Sequence, residues 1–495
     1  MSESNGGDFK VVFRSNAVPP DDLFVRSLHG REAISSLYDF DLVVETTFGG
    51  SLDQDDLDGL LSQPCYFAFG EAEEHKFHGY LREVEMLAQA DIAQAVYRFR
   101  FVPRLFDTTL TFGSWVYQDL SAPEIVKDVL DEAGWHDGDD YEIRVTGQYT
   151  KYEYKVQYQE TDFNFISRVM EHEGLFYYFE HTDTAAKLIV ADNNSAFRPR
   201  EGYESVPYEP RQGVMLQQEV ITALSRTQRV IPKKVTLRDY NYRTPSSSLT
   251  AENEVDAELG QGEQVYYGEH YKDVGAGRRL ARIRAQEHFA QRVIFRGSSV
   301  LRGLRNGDKF ALEGHPIAAF DSDYVVTSVL HEVNQEGLRD NRPSESVRAY
   351  LNSFTLLPYE VAFRPQQVTP KPRIVGVIHG KVDAAADGDR HTPLDEHGRY
   401  KVLLPWDVAG KNGGKASRWI RMAQAASGAG YGVQFPLHIG TEVLITHIDG
   451  DPDRPIIQSS APNFETASPV NSGNASQSQM RTRHGITVTF DDSAG

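Results

Sequence analysis

Period-two alternation of apolar and polar positions dominates the first hundred residues. Tyr38, Phe40 and Leu42 alternate with Asp39, Asp41 and Val43, and Tyr97, Phe99 and Phe101 alternate with Arg98 and Arg100. A spacing of two with one polar face predicts half-buried antiparallel strands, so residues 9–104 read as sheet. Gly49, Gly50 and Ser51 interrupt it, followed by a solvated acidic loop from Asp53 to Asp58.

The period then changes. Ser121-Ala122-Pro123-Glu124 is a capping-box signature, and Ile125, Val126, Val129, Leu130 and Ala133 make one apolar helical stripe that Gly134 can end. A second helix is predicted near Thr161 to Glu173, with Phe165, Ile166, Val169 and Met170 as its stripe and Gly174 at its end. The aromatic strand Leu175-Phe176-Tyr177-Tyr178-Phe179 follows directly. A third helix is predicted near Gly277 to Arg292, and strands at Val235–Tyr240 and Tyr324–Val329 surround it.

Prolines at 358, 365, 370 and 372 mark an extended linker. Beyond it, five strand-like runs fit one small barrel: Ile374–Val382, Arg399–Leu404, Arg418–Gln424, Thr441–Ile448 and Pro455–Gln458. Five short strands in about 90 residues match an OB-type barrel. Residues 464–480 are rich in Ser, Asn, Ala and Gln and read as a tether that cannot hold a core alone.

Composition narrows the function classes. The 495 residues suggest about three domains of the usual size, and 40% hydrophobic content with 11% aromatics excludes whole-chain disorder. A formal charge of −20 opposes a nucleic-acid partner and a stable place on an anionic membrane. Cys65 is the one cysteine, so an intramolecular disulfide and a thiolate metal cluster are both excluded. The start of the chain has no secretory signal pattern, and no apolar run approaches the roughly 18 residues of a membrane span. Synthesis in the cytoplasm and export without a cleaved signal are therefore expected.

Several constellations invite sharper readings, and each has a plainer one. His75 and His78 fall on opposite faces of a strand, which is poor geometry for a metal. Asp53-Gln54-Asp55-Asp56-Leu57-Asp58-Gly59 lacks the ligand positions and closing Glu of a calcium loop. In Asp449-Gly450-Asp451-Pro452-Asp453-Arg454, Gly and Pro explain a tight turn, with Arg454 available to neutralise Asp451 or Asp453. Gly275-Ala276-Gly277-Arg278-Arg279 meets neither phosphate-loop nor dinucleotide spacing. Glu171 and Glu173 lie on different faces of a helix, and Ser298-Ser299 lacks a nucleophile-elbow context. No catalytic, cofactor-binding or metal-ligating residue is assigned, and none of these patterns makes an enzyme.

Other segments carry a resemblance. Tyr117-Gln118-Asp119-Leu120-Ser121 with Glu124-Ile125-Val126 is one. A second is Gln159-Glu160-Thr161-Asp162-Phe163-Asn164-Phe165-Ile166-Ser167-Arg168 with Glu171, Glu173-Gly174-Leu175 and Tyr177-Tyr178-Phe179. The barrel adds Gly398-Arg399-Tyr400-Lys401-Val402, Pro405-Trp406-Asp407 and His447-Ile448-Asp449-Gly450-Asp451-Pro452-Asp453-Arg454-Pro455. After the tether come Arg481-Thr482-Arg483-His484-Gly485 and Thr489-Phe490-Asp491-Asp492. Over residues 10–495 this resembles the VgrG spike family of type VI secretion systems and related contractile injection machines and phage tails.

The resemblance implies a mainly β fold with minor α. Residues 1–370 would be a hub-like region of two β-barrel domains with inserted helices. Residues 373–463 would be an OB-fold neck, and 464–495 the tether and root of a trimeric β-helical needle. It also implies a homotrimer whose six similar barrels cap an inner tube protein of the Hcp type at the baseplate. Implied partners are baseplate proteins, a PAAR-like tip protein and effectors. Delivery into a target cell, or a place in an extracellular particle, would follow. The chain departs from the pattern by stopping at Gly495, which suits either a truncated piece or a short spike completed by another protein.

Two other readings compete. A phage-type spike with cell-wall hydrolase activity needs a further block of about 100 residues that hub and neck leave no room for. An OB-fold glycan or oligonucleotide binder would use Trp406, Trp419, Tyr431 and Phe435, for which a core role is the plainer expectation.

Overall fold

The computed structural model describes residues 10–493 apart from 48–49, 71–72, 92–93, 211–218, 336–349, 387–392 and 408. The fold is mainly β with minor α. It divides into two compact units. One comprises Met1–Thr111, Ala122–Thr150 and Phe163–Pro370, and the other Phe112–Ser121, Lys151–Asp162 and Lys371–Gly495.

In the first unit the predicted alternation becomes one large sheet. Its strands run in the order Val11–Ser15, Cys65–Phe69, His75–Asp91, Gln94–Val102, Asp39–Thr46, Leu23–Ala33, Asp323–Asn334, Tyr350–Pro358, Val293–Ser299 and Ile221–Gln228. Phe40, Leu42 and Val44 are fully buried. Phe40 packs against Phe67 and Phe77 with ring centroids 4.9 Å apart in both pairs, and Phe67 stacks on Phe77 at 4.7 Å. A second core gathers Ile221, Phe295, Phe310, Tyr324, Val326 and Leu356. One continuous sheet thus borders two cores.

The polar face carries cross-strand ion pairs: Arg100–Asp41 at 2.6 Å and Arg98–Glu85 at 2.7 Å, each directly opposite in register. Such half-exposed pairs contribute about 0–1 kcal/mol apiece, so the aromatic interior decides stability.

The three predicted helices are present as Ala122–Glu132, Asp162–Glu173 and Val274–Phe289. Gly174 ends the second with φ +74°, and a Cβ there would meet Ile283 at 2.7 Å, so glycine suits both the turn and the packing. Val274–Phe289 covers a three-stranded sheet of Leu249–Glu254, Lys234–Asp239 and Glu263–Tyr267.

One loop expectation is overturned. Residues Gln54–Ser62 form a helix rather than a solvated acidic loop. The Asp53 carboxylate accepts from the Asp56 amide at 2.9 Å, and the Asp56 carboxylate accepts from the Asp53 amide at 3.1 Å. Aspartates that looked like loop charge are the cap and first turn, where negative charge complements the helix dipole. Leu60 supplies the buried anchor.

The second unit holds a sheet ordered Val402–Leu403, Val377–Val382, Glu442–His447, Pro455–Ser460. Of the five predicted barrel strands, Arg418–Gln424 shrinks to isolated bridges, Tyr400 with Ile420 and Met422 with Ile457. The unit also takes in an antiparallel pair from far upstream, Phe112–Tyr117 with Lys155–Thr161. Val116, Tyr154 and Val156 share a core with Val382, Tyr400, Val402, Ile420, Val443, Ile445 and Ile457, which is why these segments group with the barrel.

The polar tether is shorter than expected. Gln477–Arg481 is a strand, paired antiparallel with Thr487–Asp491 so that Met480 faces Val488. Thr482 to Gly485 close the hairpin, with Gly485 at φ +91°.

Candidate functional site

Two features of the second unit stand out: an acidic turn with a buried carboxylate and a set of exposed apolar side chains. Asp449 and Gly450 adopt positive φ (55° and 71°), which turns the chain and points Asp451 and Asp453 inward. The Asp453 side chain is fully buried. It meets the Lys155 ammonium at 3.0 Å and the Lys371 ammonium at 2.8 Å, and accepts the Val156 amide at 2.8 Å. Lys371 also reaches Asp451 at 2.5 Å.

Sequence reasoning found the turn and Arg454 as a neutralising charge, which pairs with Asp451 at 3.6 Å, but it missed the two lysines that hold Asp453. Lys155 lies 298 residues away in sequence, so no local signal pointed to it. A buried pair of this kind orients segments, because leaving either charge alone in the interior is costly. His447 lies beside the turn, and burial pushes its pKa down to about 4 against the pull of Asp451 and Asp453.

The uncovered surface lies on two hairpins. Ser427–Gly428 pairs with Tyr431–Gly432, and Tyr431, Val433 and Phe435 are 75%, 50% and 52% exposed. This corrects the core expectation for Tyr431 and Phe435. Trp406 and Trp419 are half-buried, and Trp406 meets Tyr158 edge-on at 5.4 Å. On the terminal hairpin Met480, Ile486, Val488 and Phe490 are all about half or more exposed, as is Phe464 before it. Asp491 is held there by Ser493, through hydroxyl and amide, and by Gln477 and Ser476, which draw its pKa down to about 2.

The remaining constellations scatter. His75 approaches Tyr203 at 3.4 Å and His78 approaches the Thr182 carbonyl at 3.1 Å, with the strand between them. Glu171 accepts from Thr369 and from the Val368 amide, whereas Glu173 pairs with Arg279 and His172. Asp273, just before Gly275, caps its helix by accepting the Ala276 amide. Ser299 is buried and donates to Asn352 at 2.5 Å.

That last bond belongs to a network the sequence did not disclose. Glu32 meets His331 at 3.1 Å, His331 meets the Tyr350 hydroxyl at 2.9 Å, and the Asn352 amide donates to that hydroxyl at 2.9 Å. All four residues are buried on neighbouring strands of the large sheet. Burial lowers the His331 pKa, and the whole cluster reads as a register device between strands.

Known proteins share this plan. The phage tail baseplate hub (GPD) family matches residues 31–337, and the type VI secretion system/phage-baseplate injector OB domain matches 389–461. The type VI secretion spike protein VgrG1a of Pseudomonas aeruginosa is 30% identical over 94% of this chain and 71% of its own length. VgrG4b of the same organism is 30% identical over 91% of this chain and 55% of its own. The actin cross-linking toxin VgrG1 of Vibrio cholerae is 29% identical, but the chain covers only 34% of it.

Two solved structures share the fold. One is an E. coli type VI secretion component described as similar to the bacteriophage tail proteins gp27 and gp5. It has a TM-score of 0.66 at 22% identity and covers 91% of this chain and 100% of its own. The other is a Francisella PdpA–VgrG complex, with a TM-score of 0.57 at 10% identity over 98% of this chain and 83% of that one. The hydrolase and oligonucleotide or glycan readings are not favoured. A hub family matching more than half of the chain, an injector OB domain after it and a 30%-identical spike protein lead to one assignment: the chain belongs to the VgrG spike family of type VI secretion systems, as a baseplate hub and spike.

Proposed function

We propose that the chain works as a homotrimer and as a machine part without catalysis of its own. Residues 1–370 act as the hub that caps an Hcp-like inner tube at the baseplate, and 373–463 act as the neck. Residues 464–495 root a needle that punctures the target envelope and takes a PAAR-like tip and effectors. Synthesis in the cytoplasm and release through the machine, without a cleaved signal, complete this reading.

The observation that carries it is the terminal hairpin. Its apolar side chains, Met480, Ile486, Val488 and Phe490, are exposed. A two-stranded hairpin is marginal alone in water and needs further strands to cover such residues. Three copies brought together supply them, and closure leaves no sheet edge unpaired. Light scattering on the purified full chain tests this. The expected mass is three chains; a monomer at micromolar concentration, with residues 464–495 intact, contradicts it.

A further inference from the structure

In the large sheet of the first unit the strand Ile221–Gln228 pairs with Val293–Ser299. Tyr208 bridges Ile221, with the Glu209 amide donating to the Ile221 carbonyl at 2.9 Å, so Leu224–Gln228 has one strand partner among the described residues. Arg229, just past its end, donates its amide to the Arg292 carbonyl at 2.9 Å. Alternation along an antiparallel ladder therefore turns the amides and carbonyls of Leu224, Arg226 and Gln228 the other way, onto an edge that no other described strand pairs.

A cavity of about 450 Å³ lies beside this edge, on the face where Arg226 stands opposite Phe295. Phe289, Phe295, Phe320 and Tyr324 line it. Phe295 meets Phe320 at 5.1 Å and Tyr324 at 5.0 Å, both edge-on, and the Tyr324 hydroxyl donates to the Phe320 carbonyl at 2.8 Å. These contacts give the cavity a fixed aromatic wall.

Its charges are not all satisfied. Arg292 is neutralised by Asp256 at 2.9 Å. Arg226 also lines the cavity and is exposed, and among the described residues no carboxylate pairs with it, although the chain carries a net charge of −20. A lone guanidinium on an aromatic cavity calls for a carboxylate next to an apolar group. Glu360 on the same lining repels any anion, a peptide carboxylate included, and weighs most against the dense charge of a phosphate backbone.

We propose that this edge and cavity dock an extended peptide segment of a partner protein. The segment adds a strand beside Leu224–Gln228, seats an aromatic side chain in the cavity and places a carboxylate on Arg226. Side chains two apart on a strand share a face, so the recognised pattern is an acidic residue and an aromatic one separated by one residue.

The test titrates the full chain into a labelled, end-blocked peptide, Thr-Thr-Asp-Thr-Phe-Thr-Thr, and follows anisotropy. Saturable binding is expected. Arg226→Glu, at an exposed position that tolerates it, should weaken binding at least about tenfold. N-methylation of the peptide amides that face the edge should weaken it as much. A peptide with Asn in place of Asp should bind weakly to both proteins. Glu360→Gln should bind at least as well as the unaltered chain.

Absence of saturable binding at millimolar peptide overturns the proposal, as does equal binding by Arg226→Glu. Undiminished binding of the N-methylated peptide overturns the added strand. Self-association that disappears in Arg226→Glu, with no peptide binding, makes the occupant a second copy of this chain and overturns the partner segment.

Discussion

The two units solve the problem of folding differently. The first closes its cores on itself: Phe40, Phe67, Phe77 and Phe101 are fully buried. Its exposed apolar residues are spread over separate elements, singly as at Val230 and Ile317 or in pairs as at Met86–Leu87 and Val265 with Tyr267. The second has one small core, completed by two strands from far upstream, and concentrates exposed apolar residues on two hairpins. Scattered exposure is ordinary, whereas contiguous exposure marks a surface made to be covered. On the trimeric reading proposed above, this difference is a division of labour: the first unit holds its own cores, and the second unit is finished by assembly.

The largest expected effect separates the units directly. Asp453→Ala leaves Lys155 buried without its counter-charge and should destabilise the second unit by about 3–5 kcal/mol. Calorimetry should show the transition of the second unit falling while that of the first stays in place. A uniform shift of both transitions would erase the distinction drawn here. Replacing Asp453 and Lys155 together by apolar residues should recover part of the loss.

Acidification should weaken both units, through different histidines. His75 in the first and His447 in the second are held down to about 4 from the ordinary 6.5, in each case by burial first. A depressed histidine is neutral in the fold, so its contribution is complete above about pH 6.5 and is lost as pH falls towards 4. His172, flanked by Glu173 and Glu269, is raised instead, and its contribution is kept at low pH and lost as pH rises past its folded value. Thermal melts from pH 7 to pH 4 should therefore fall overall. His447→Gln should flatten that decline in the second unit alone, and an unchanged slope there contradicts the assignment.

The smallest effect sharpens the first unit. Asp53→Ala removes the cap of Gln54–Ser62 and should cost about 1 kcal/mol. Asp53→Asn, which keeps the acceptor, should cost less, and equal losses would mean that the charge and not the cap matters.

Much of this plan was legible in the chain. Strands such as Asp39–Thr46 and Gln94–Val102 follow period-two patterning because one face is apolar and the other charged, and the three longer helices follow their stripes. Local signals failed where local meaning was shared. Aspartates serve loops and helix caps alike, which hid Gln54–Ser62. Ser, Gln and Met suit a tether or a strand, which hid Gln477–Arg481.

Aromatics serve cores and interfaces, which misplaced Tyr431 and Phe435. The fixing contacts were out of reach of any window, since Lys155 with Asp453 and Glu32 with His331 join residues about 300 positions apart. The acidic turn itself was found because Gly450 and Pro452 declare it.

Hydrogen exchange on the strand Thr487–Asp491 tests the central claim most directly, because a surface finished by assembly must gain protection from assembly. In the purified full chain at micromolar concentration, the amides of residues 486–490 should exchange far more slowly than in a synthetic peptide of residues 477–493. Dilution that dissociates the assembly should restore fast exchange there while the strands around Phe40 stay protected. Exchange as fast in the full chain as in the peptide would contradict the account.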